Sequence, residues 1–489
     1  MKKIFLGLTL VLLGFVLVSC TGPMGGDGGY HLSPDMSENA DSSNDEYQTI
    51  VENDFIVSSV NNKSSISLSA NTAAYSFIRQ MINSGQNVNK DVVRTEEMVN
   101  FFTYNYAEPT GDDIFGMTSE LIPTPWNSET HLLLVGLQTK KEELGDVANN
   151  IVMLLDVSGS MASNNKLPLV KESMKLLVEQ MKPNDKISLV TYSSGEKVVF
   201  EGKSLANYDE IEIEINKLRA SGATAGKKGL QMAYEVAQRH FIAEGNNRII
   251  LATDGDFNVG ISKTDDLVEY ISGKREEGIY FSAFGFGYGN YKDEKLERIS
   301  AAGNGSYYYI DDMLSARKAF IDGIDGLLYT VARDAKAQIT FNSDVILEHR
   351  LIGYENRILS NEQFDDDTTD AGEIGTGLQV TAIYEVKLSE VEGNFGDLLV
   401  RYKSNNFADE TQYEQSFDLA KAIKTENPSD DSNFISSIIE FSLILRDSSY
   451  KGDANLARLI ERITNEDNEN DYYRSDFIEV LKKYQLANS

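Results

Sequence analysis

The residues in this chain best equipped for chemistry are Asp156, Ser158 and Ser160, which follow directly on the apolar run Ile151-Val152-Met153-Leu154-Leu155. Spaced at i, i+2 and i+4, they point the same way from an extended or gently curving backbone. Gly159 lets the turn tighten around whatever they hold. One carboxylate and two hydroxyls suit a hard divalent cation such as Mg²⁺, and suit zinc or copper poorly. Two later stretches carry the same oxygen chemistry. Thr224 lies in Ser221-Gly222-Ala223-Thr224-Ala225-Gly226, and Asp254 follows the apolar run Arg248-Ile249-Ile250-Leu251-Ala252-Thr253. Asp-x-Ser-x-Ser alone is a weak pattern in a chain rich in Asp and Ser; the conjunction of the three stretches gives it weight.

Short continuous apolar runs read as strands buried on both faces, as in a parallel sheet covered by helices. A loop leaving such a strand sits at the carboxyl edge of the sheet, where open α/β folds bind their ligands. The surrounding pattern supplies the rest of such a fold. A helix is expected from about Lys166 to Met181, ended by Pro183, then strands at Ile187 to Tyr192 and Lys197 to Phe200, then a helix near Tyr208 to Leu218. An amphipathic helix from about Lys227 carries Leu230, Ala233, Tyr234 and Ala237 on one face. Beyond Asp254 come a helix at Asp265 to Lys274, strands at Ile279 to Phe284 and Tyr307 to Ile310, and a helix at Met313 to Leu328. Strand and helix alternate as a doubly wound sheet requires.

Asp156-x-Ser158-x-Ser160, Thr224, and Asp254 within Thr253-Asp254-Gly255, in this order, resemble the metal-ion-dependent adhesion site of a von Willebrand factor type A domain. The resemblance implies that Ser158 and Ser160 bind the metal directly and Thr224 directly or through water, while Asp156 and Asp254 act mostly through waters and hydrogen bonds. The implied cofactor is Mg²⁺ or another divalent cation such as Mn²⁺ or Ca²⁺. A cation held mainly by neutral hydroxyls and water keeps most of its charge and can take a carboxylate as its last ligand. The expected partner is therefore a protein with an exposed Asp or Glu. Flanking stretches resemble those of bacterial lipoproteins carrying this domain: Ala73-Ala74-Tyr75-Ser76, Val93-Arg94-x-Glu96-Glu97-Met98-Val99-Asn100 and Tyr104-x-Tyr106 before it, Arg350 to Arg357 and Asp370 to Gly375 after it. Asn71 stands where that pattern usually has an acidic residue.

Strand-like runs on both sides of the α/β segment, at Met117 to Ile122 and His131 to Gln138 before it, then Ala335 to Phe341, Val345 to Leu347, Leu378 to Leu388 and Leu398 to Tyr402 after it, make a comfortable two-layer core only if they pair with one another. The expected architecture is an α/β Rossmann-like domain inserted in a β-sandwich-like domain, with small helical N- and C-terminal segments. The expected boundaries are 1–19 signal peptide, 20–50 tether, 51–110 N-terminal helical flank, 111–147 strands, 148–330 type A domain, 331–425 β domain and 426–489 helical tail.

The ends and the composition bear on location. Lys2 and Lys3 precede an apolar run to Val18 that is short of the about 20 residues a membrane span needs. Leu17-Val18-Ser19-Cys20 resembles a bacterial lipobox, implying cleavage before Cys20, lipidation of its thiol and a lipid anchor in the cell envelope, with the outer membrane or cell surface compatible. Cys20 is the sole cysteine, so a disulfide or cysteine nucleophile is excluded once it is lipidated. Residues 21 to 47 are Gly, Ser, Asp and Asn with few aliphatics, a tether composition. With 76 acidic against 45 basic residues, net charge −31, the chain would be repelled by nucleic acid. The four histidines are scattered outside any metal or triad motif, and no nucleophile elbow or phosphate loop occurs. Asp365 to Asp367 with Asp370, and Asn465 to Asp471, lack the glycine and closing glutamate of a calcium loop and read as solvated acidic stretches. The expectation is a non-enzymatic binding protein. The alternatives are an envelope lipoprotein whose metal only stabilises the fold, and a metal-dependent hydrolase, for which no general base is singled out.

Overall fold

Alternating and continuous apolar runs fold into three sheets, with helices drawn from both ends of the chain packed beside them. The computed structural model describes residues 49–142, 147–224, 228–255, 257, 263–287, 293–405, 409–419, 422–464 and 471–488. The expected signal peptide, Cys20 and the tether up to residue 48 lie outside the described residues, as do the expected helix start at Lys227 and most of the acidic stretch 465–470.

The N-terminal flank contributes more than helices. Strands β1 (Ile56–Val57) and β2 (Lys63–Ser67) precede helices α1 (Ala73–Asn83) and α2 (Thr95–Asn100), and β3 (Phe115–Pro123) and β4 (His131–Thr139) follow. The segment read as helical thus also supplies edge and internal strands of the β domain. Lys63-Ser-Ser-Ile-Ser67 carries a single aliphatic residue, so its strand character comes from its neighbours rather than its own pattern.

The inserted α/β domain begins with β5 (Asn149–Asp156), then α3 (Leu167–Glu179), β6 (Lys186–Tyr192), β7 (Glu196–Lys203), α4 (Tyr208–Lys217), α5 (Gly229–Arg239), β8 (Asn246–Thr253), α6 (Thr264–Glu276), β9 (Ile279–Phe286), α7 (Asp293–Ala302), β10 (Tyr307–Ile310), α8 (Met313–Arg317) and α9 (Ile324–Leu328). The sheet order is β10-β9-β8-β5-β6-β7, parallel except for the antiparallel edge strand β7. Every residue of β5 and β8 is buried, as their apolar runs require. Alternation along β5 divides the domain's interior in two. Val152 and Leu154 face the apolar stripes of α5, α6 and α7, while Ile151, Met153 and Leu155 face α3, α4 and α8. Pro168 opens α3, where a missing N–H costs nothing, and Asp312 caps α8 by accepting from the N–H groups of Leu314 and Ser315. Helix α7 has no counterpart in the sequence reading: its only fully buried aliphatics are Leu296 and Ile299, too short a stripe to stand out.

Beyond the α/β domain run β11 (Thr330–Phe341), β12 (Ile346–Leu351), β13 (Ile358–Leu359), α10 (Asn361–Asp365), β14 (Gly372–Gly375), β15 (Gln379–Leu388), β16 (Gly396–Lys403), β17 (Gln412–Asp418) and β18 (Ile423–Lys424). They join the earlier strands as expected, in one sheet ordered β1-β12-β15-β4-β3-β18 and another ordered β13-β2-β11-β16-β17 with β14 beside β11. Leu133, Val135 and Leu137 of β4 pack with Tyr384 of β15, Ile339 of β11 and Val400 of β16 in the layer between them. The outer face of the first sheet, through Leu132, Leu134 and Ile383, joins the core that holds α1, α2 and the tail helices α11 (Asp430–Arg446), α12 (Leu456–Thr464) and α13 (Tyr472–Ala487). Asp366 accepts from both N and Oγ of Thr368, and Asp367 pairs with Arg401 at 3.1 Å, which explains that acidic stretch as loop structure. Among the described residues no helix is long and apolar enough to cross a membrane.

Helices α1 and α13 are both locked to the α/β domain by one buried guanidinium. Arg79 of α1 is fully buried and meets Asp311 at 2.6 Å, Asp312 at 2.7 Å and Asp476 of α13 at 2.8 Å. Removing one side of a buried ion pair strands the other, so Arg79→Met should cost about 3–5 kcal/mol, read from denaturant unfolding. His349 gives a pH signature. It is buried, stacked on Phe341 at 4.2 Å with Ser58 Oγ 3.1 Å from Nδ1, and burial pushes its pKa down from 6.5 to about 4. The unfolded chain therefore takes up this proton first. The stability contributed by neutral His349 is present above pH 6.5 and lost as pH falls towards 4. His349→Phe, which can stack but not titrate, should flatten the decline of melting temperature across that window.

Candidate metal-ion site

Strand register fixes where the oxygen-bearing loops emerge. Leu155 of β5 lies opposite Ala252 of β8, and Asp156 lies opposite Tyr192 of β6. Asp156 therefore leaves β5, and Asp254 leaves β8, at the same carboxyl edge on adjacent parallel strands, about 4.8 Å apart in the sheet direction. Both carboxylates are buried, at 0% and 3% exposure.

The loop after β5 folds back on its own aspartate. Asp156 Oδ1 accepts the N–H of Ser158 at 2.8 Å, which turns the Ser158 side chain towards Ser160; their Oγ atoms lie 2.9 Å apart. Ser158 is buried and Ser160 exposed, so the pair reaches from the sheet edge to solvent. The Thr224 loop is bound to this turn by its backbone. Ser221 N–H donates to Val157 O at 2.8 Å and Gly159 N–H to Gly222 O at 2.9 Å. Ser194 Oγ accepts the N–H of Ala223 at 2.9 Å. Gly222 is required there: its φ is +82° and a Cβ would lie 2.4 Å from Ser194 Oγ. Thr224 follows two residues later, half-buried at the rim. The structure thus brings Ser158, Ser160 and Asp156 into direct contact, sets Asp254 on the neighbouring strand end, and delivers Thr224 on a loop pinned to the first.

Two residues of the site were not singled out in the sequence. Tyr192, on the strand beside Asp156, is buried against Asp156 and Thr253; burial first, and then the charge of Asp156, pushes its phenol well above its usual pKa and keeps it neutral. Lys166, read in sequence only as a helix start, places Nζ 2.8 Å from Asp254 Oδ2 with both side chains largely buried. No sequence signal distinguishes a lone lysine before a helix from a solvated one; only the fold brings it to Asp254.

A type A domain implies a divalent cation, and the donors present fit one. Asp254 Oδ1 is buried without a hydrogen-bond partner among the described residues, an expensive state unless another group belongs there. Among the described residues no cluster of three or more His, Cys, Asp or Glu side chains is arranged for a metal, so the donors here are chiefly hydroxyls with carboxylates behind. Such a set suits a hard cation that retains charge for a further oxygen ligand.

Comparison with known proteins finds relatives along most of the chain. The von Willebrand factor type A domain family matches residues 150–321, a von Willebrand factor family matches 41–134, and the family described as "Uncharacterized protein YfbK, C-terminal" matches 326–418 and 392–486. The chain is 35% identical over 467 residues to the uncharacterized protein YfbK of Escherichia coli (strain K12), covering 89% of this chain and 80% of that protein. It is 28% identical over 152 residues to human inter-alpha-trypsin inhibitor heavy chain H3, covering 29% of this chain and 17% of that protein. A solved von Willebrand factor type A protein from Catenulispora acidiphila aligns with TM-score 0.42 at 16% identity, over 78% of this chain and 91% of that one. By its 35% identity over 89% of its length and its type A domain at residues 150–321, the chain belongs to the YfbK-like family of proteins built on a von Willebrand factor type A domain.

Proposed function

We propose that this protein binds a partner protein through a divalent cation held by Ser158, Ser160 and Thr224, with Asp156 and Asp254 behind them and an Asp or Glu of the partner completing the coordination. The observation that carries the reading is the hydroxyl pair: Ser158 is a buried residue at the sheet edge and Ser160, whose Oγ lies 2.9 Å from that of Ser158, is an exposed one. One side of the site is built in and the other is open to a visitor. The oxygen donors favour Mg²⁺, with Mn²⁺ or Ca²⁺ as substitutes. The lipobox-like Leu17-Val18-Ser19-Cys20 supports anchoring of the chain by lipid at Cys20 in a bacterial cell envelope.

A binding role fits better than a catalytic one. His131 lies on β4, His240 at the end of α5 beside Glu201, and His349 inside the β domain, none of them at the carboxyl edge that carries the hydroxyl pair. Activation of a metal-bound water would need a base there, and the carboxylates at the edge are buried behind the serines.

Titration of the full chain with MgCl₂ by calorimetry should show one site. Ser158→Ala should weaken it by at least about tenfold, the loss of one hard-cation ligand. Capture of an envelope protein on the immobilised chain should occur in Mg²⁺ and disappear with EDTA. Capture that survives both EDTA and Ser158→Ala, in a chain that still binds Mg²⁺, would leave the metal as a stabiliser of the fold and remove the bridging mechanism.

A further inference from the structure

Asp254 already has a cation. Lys166 stands just before α3 and its Nζ sits 2.8 Å from Asp254 Oδ2, with the lysine and aspartate side chains 12% and 1% exposed. The lysine is seated rather than draped. Its stem crosses the chain at Gly287, just beyond β9, where a Cβ would come within 2.3 Å of Lys166 Cε and 2.5 Å of Cγ. Gly287 has φ +73°, and its carbonyl accepts the Tyr309 hydroxyl at 2.6 Å, which holds that backbone in place. A side chain at position 287 would push against this stem, so glycine there leaves the lysine room to bring its ammonium to the same carboxylate that the metal site needs.

Building on the metal-site reading above, we propose that Lys166 is an internal counter-cation that the divalent ion must displace or share Asp254 with, so that this lysine sets the metal concentration at which the site becomes able to take a partner carboxylate. The physical argument is competition. Without metal, Asp156 and Asp254 are buried carboxylates on neighbouring strands, and an unpaired charge there is costly. The tethered ammonium neutralises one of them. A monovalent ion carries the same charge as the ammonium already in place and gains nothing by replacing it. A divalent ion brings twice the charge and also engages the serine hydroxyls, which the ammonium does not contact. Metal and lysine thus compete for one carboxylate and repel each other across it, so each weakens the other's hold on Asp254 by the same factor.

The test compares the full-length chain with Lys166→Met, which keeps the stem and removes the charge, and Lys166→Arg, which keeps the charge. Lys166→Gln, whose amide can still hydrogen-bond Asp254, is a milder charge removal should the Met variant fail to fold. Mg²⁺ affinity is read by calorimetry at fixed pH and ionic strength, alongside melting temperature with and without Mg²⁺. Charge removal should tighten Mg²⁺ binding by about tenfold or more, lower the metal-free melting temperature, and enlarge the rise that Mg²⁺ produces; Lys166→Arg should stay near the parent. Binding that appears only after charge removal would support the same conclusion in stronger form. A folded Met or Gln variant with unchanged or weaker Mg²⁺ affinity overturns the role of Lys166 and leaves the metal site standing. Absence of binding in the parent and in every variant overturns both.

Discussion

Two carboxylates kept out of water on neighbouring strands are the constraint around which this molecule is arranged. Asp156 and Asp254 end adjacent parallel strands whose every residue is buried, so their charges cannot relax into solvent. Each compensation visible at that edge follows from this. The Ser158 N–H turns back to Asp156, the neutral Tyr192 phenol lies beside it, and the Lys166 ammonium reaches Asp254 through the gap at Gly287. A binding site grows from the same need, because a place that must recruit positive charge is a place where a cation can be held.

The remainder of the chain serves to hold that edge still. Parallel strands need both faces covered, and the two faces are covered differently here. One packs on helices of the α/β domain alone; the other continues into an aromatic layer where Tyr75 of α1, Phe101 and Phe102 just after α2, and Phe434 and Phe477 of the tail helices meet with ring centroids 4.5–6.0 Å apart. Arg79 then ties the first helix to the last through Asp311 and Asp476. Tyr309 works on both sides of this boundary, meeting Phe77 of α1 edge-on at 5.0 Å and bonding the Gly287 carbonyl beside Lys166. The packing of the N-terminal flank is in this way two side chains from the ionic centre.

Much of this was legible in the residues because the governing patterns are local. A five-residue apolar run followed by Asp-x-Ser-x-Ser announces a buried strand and the chemistry at its end, and the runs on either side of the α/β segment imply that they pair. What escaped has no local pattern. Strand β17 is Gln-Tyr-Glu-Gln-Ser-Phe-Asp, polar because it forms an edge, and β2 owes its conformation to pairing with β11. Helix α7 rests on two aliphatic residues. Lys166 looked like any lysine at a helix start, since its meaning depends on Asp254, 88 residues away, and on a glycine farther still.

The inserted domain enters and leaves the sandwich at neighbouring points: Tyr329, at its exit, donates its hydroxyl to Asn149 Oδ1, near its entrance, at 2.8 Å. Both junctions lie at the amino end of β5, opposite the edge that carries the serines. A unit joined to its host by one close pair of connections can be exchanged whole without rethreading the host. The sandwich side of that exchange is simple, but the helical side is not: any replacement insert must still present a surface to Phe77 and carboxylates to Arg79, as Tyr309 and Asp311 do here.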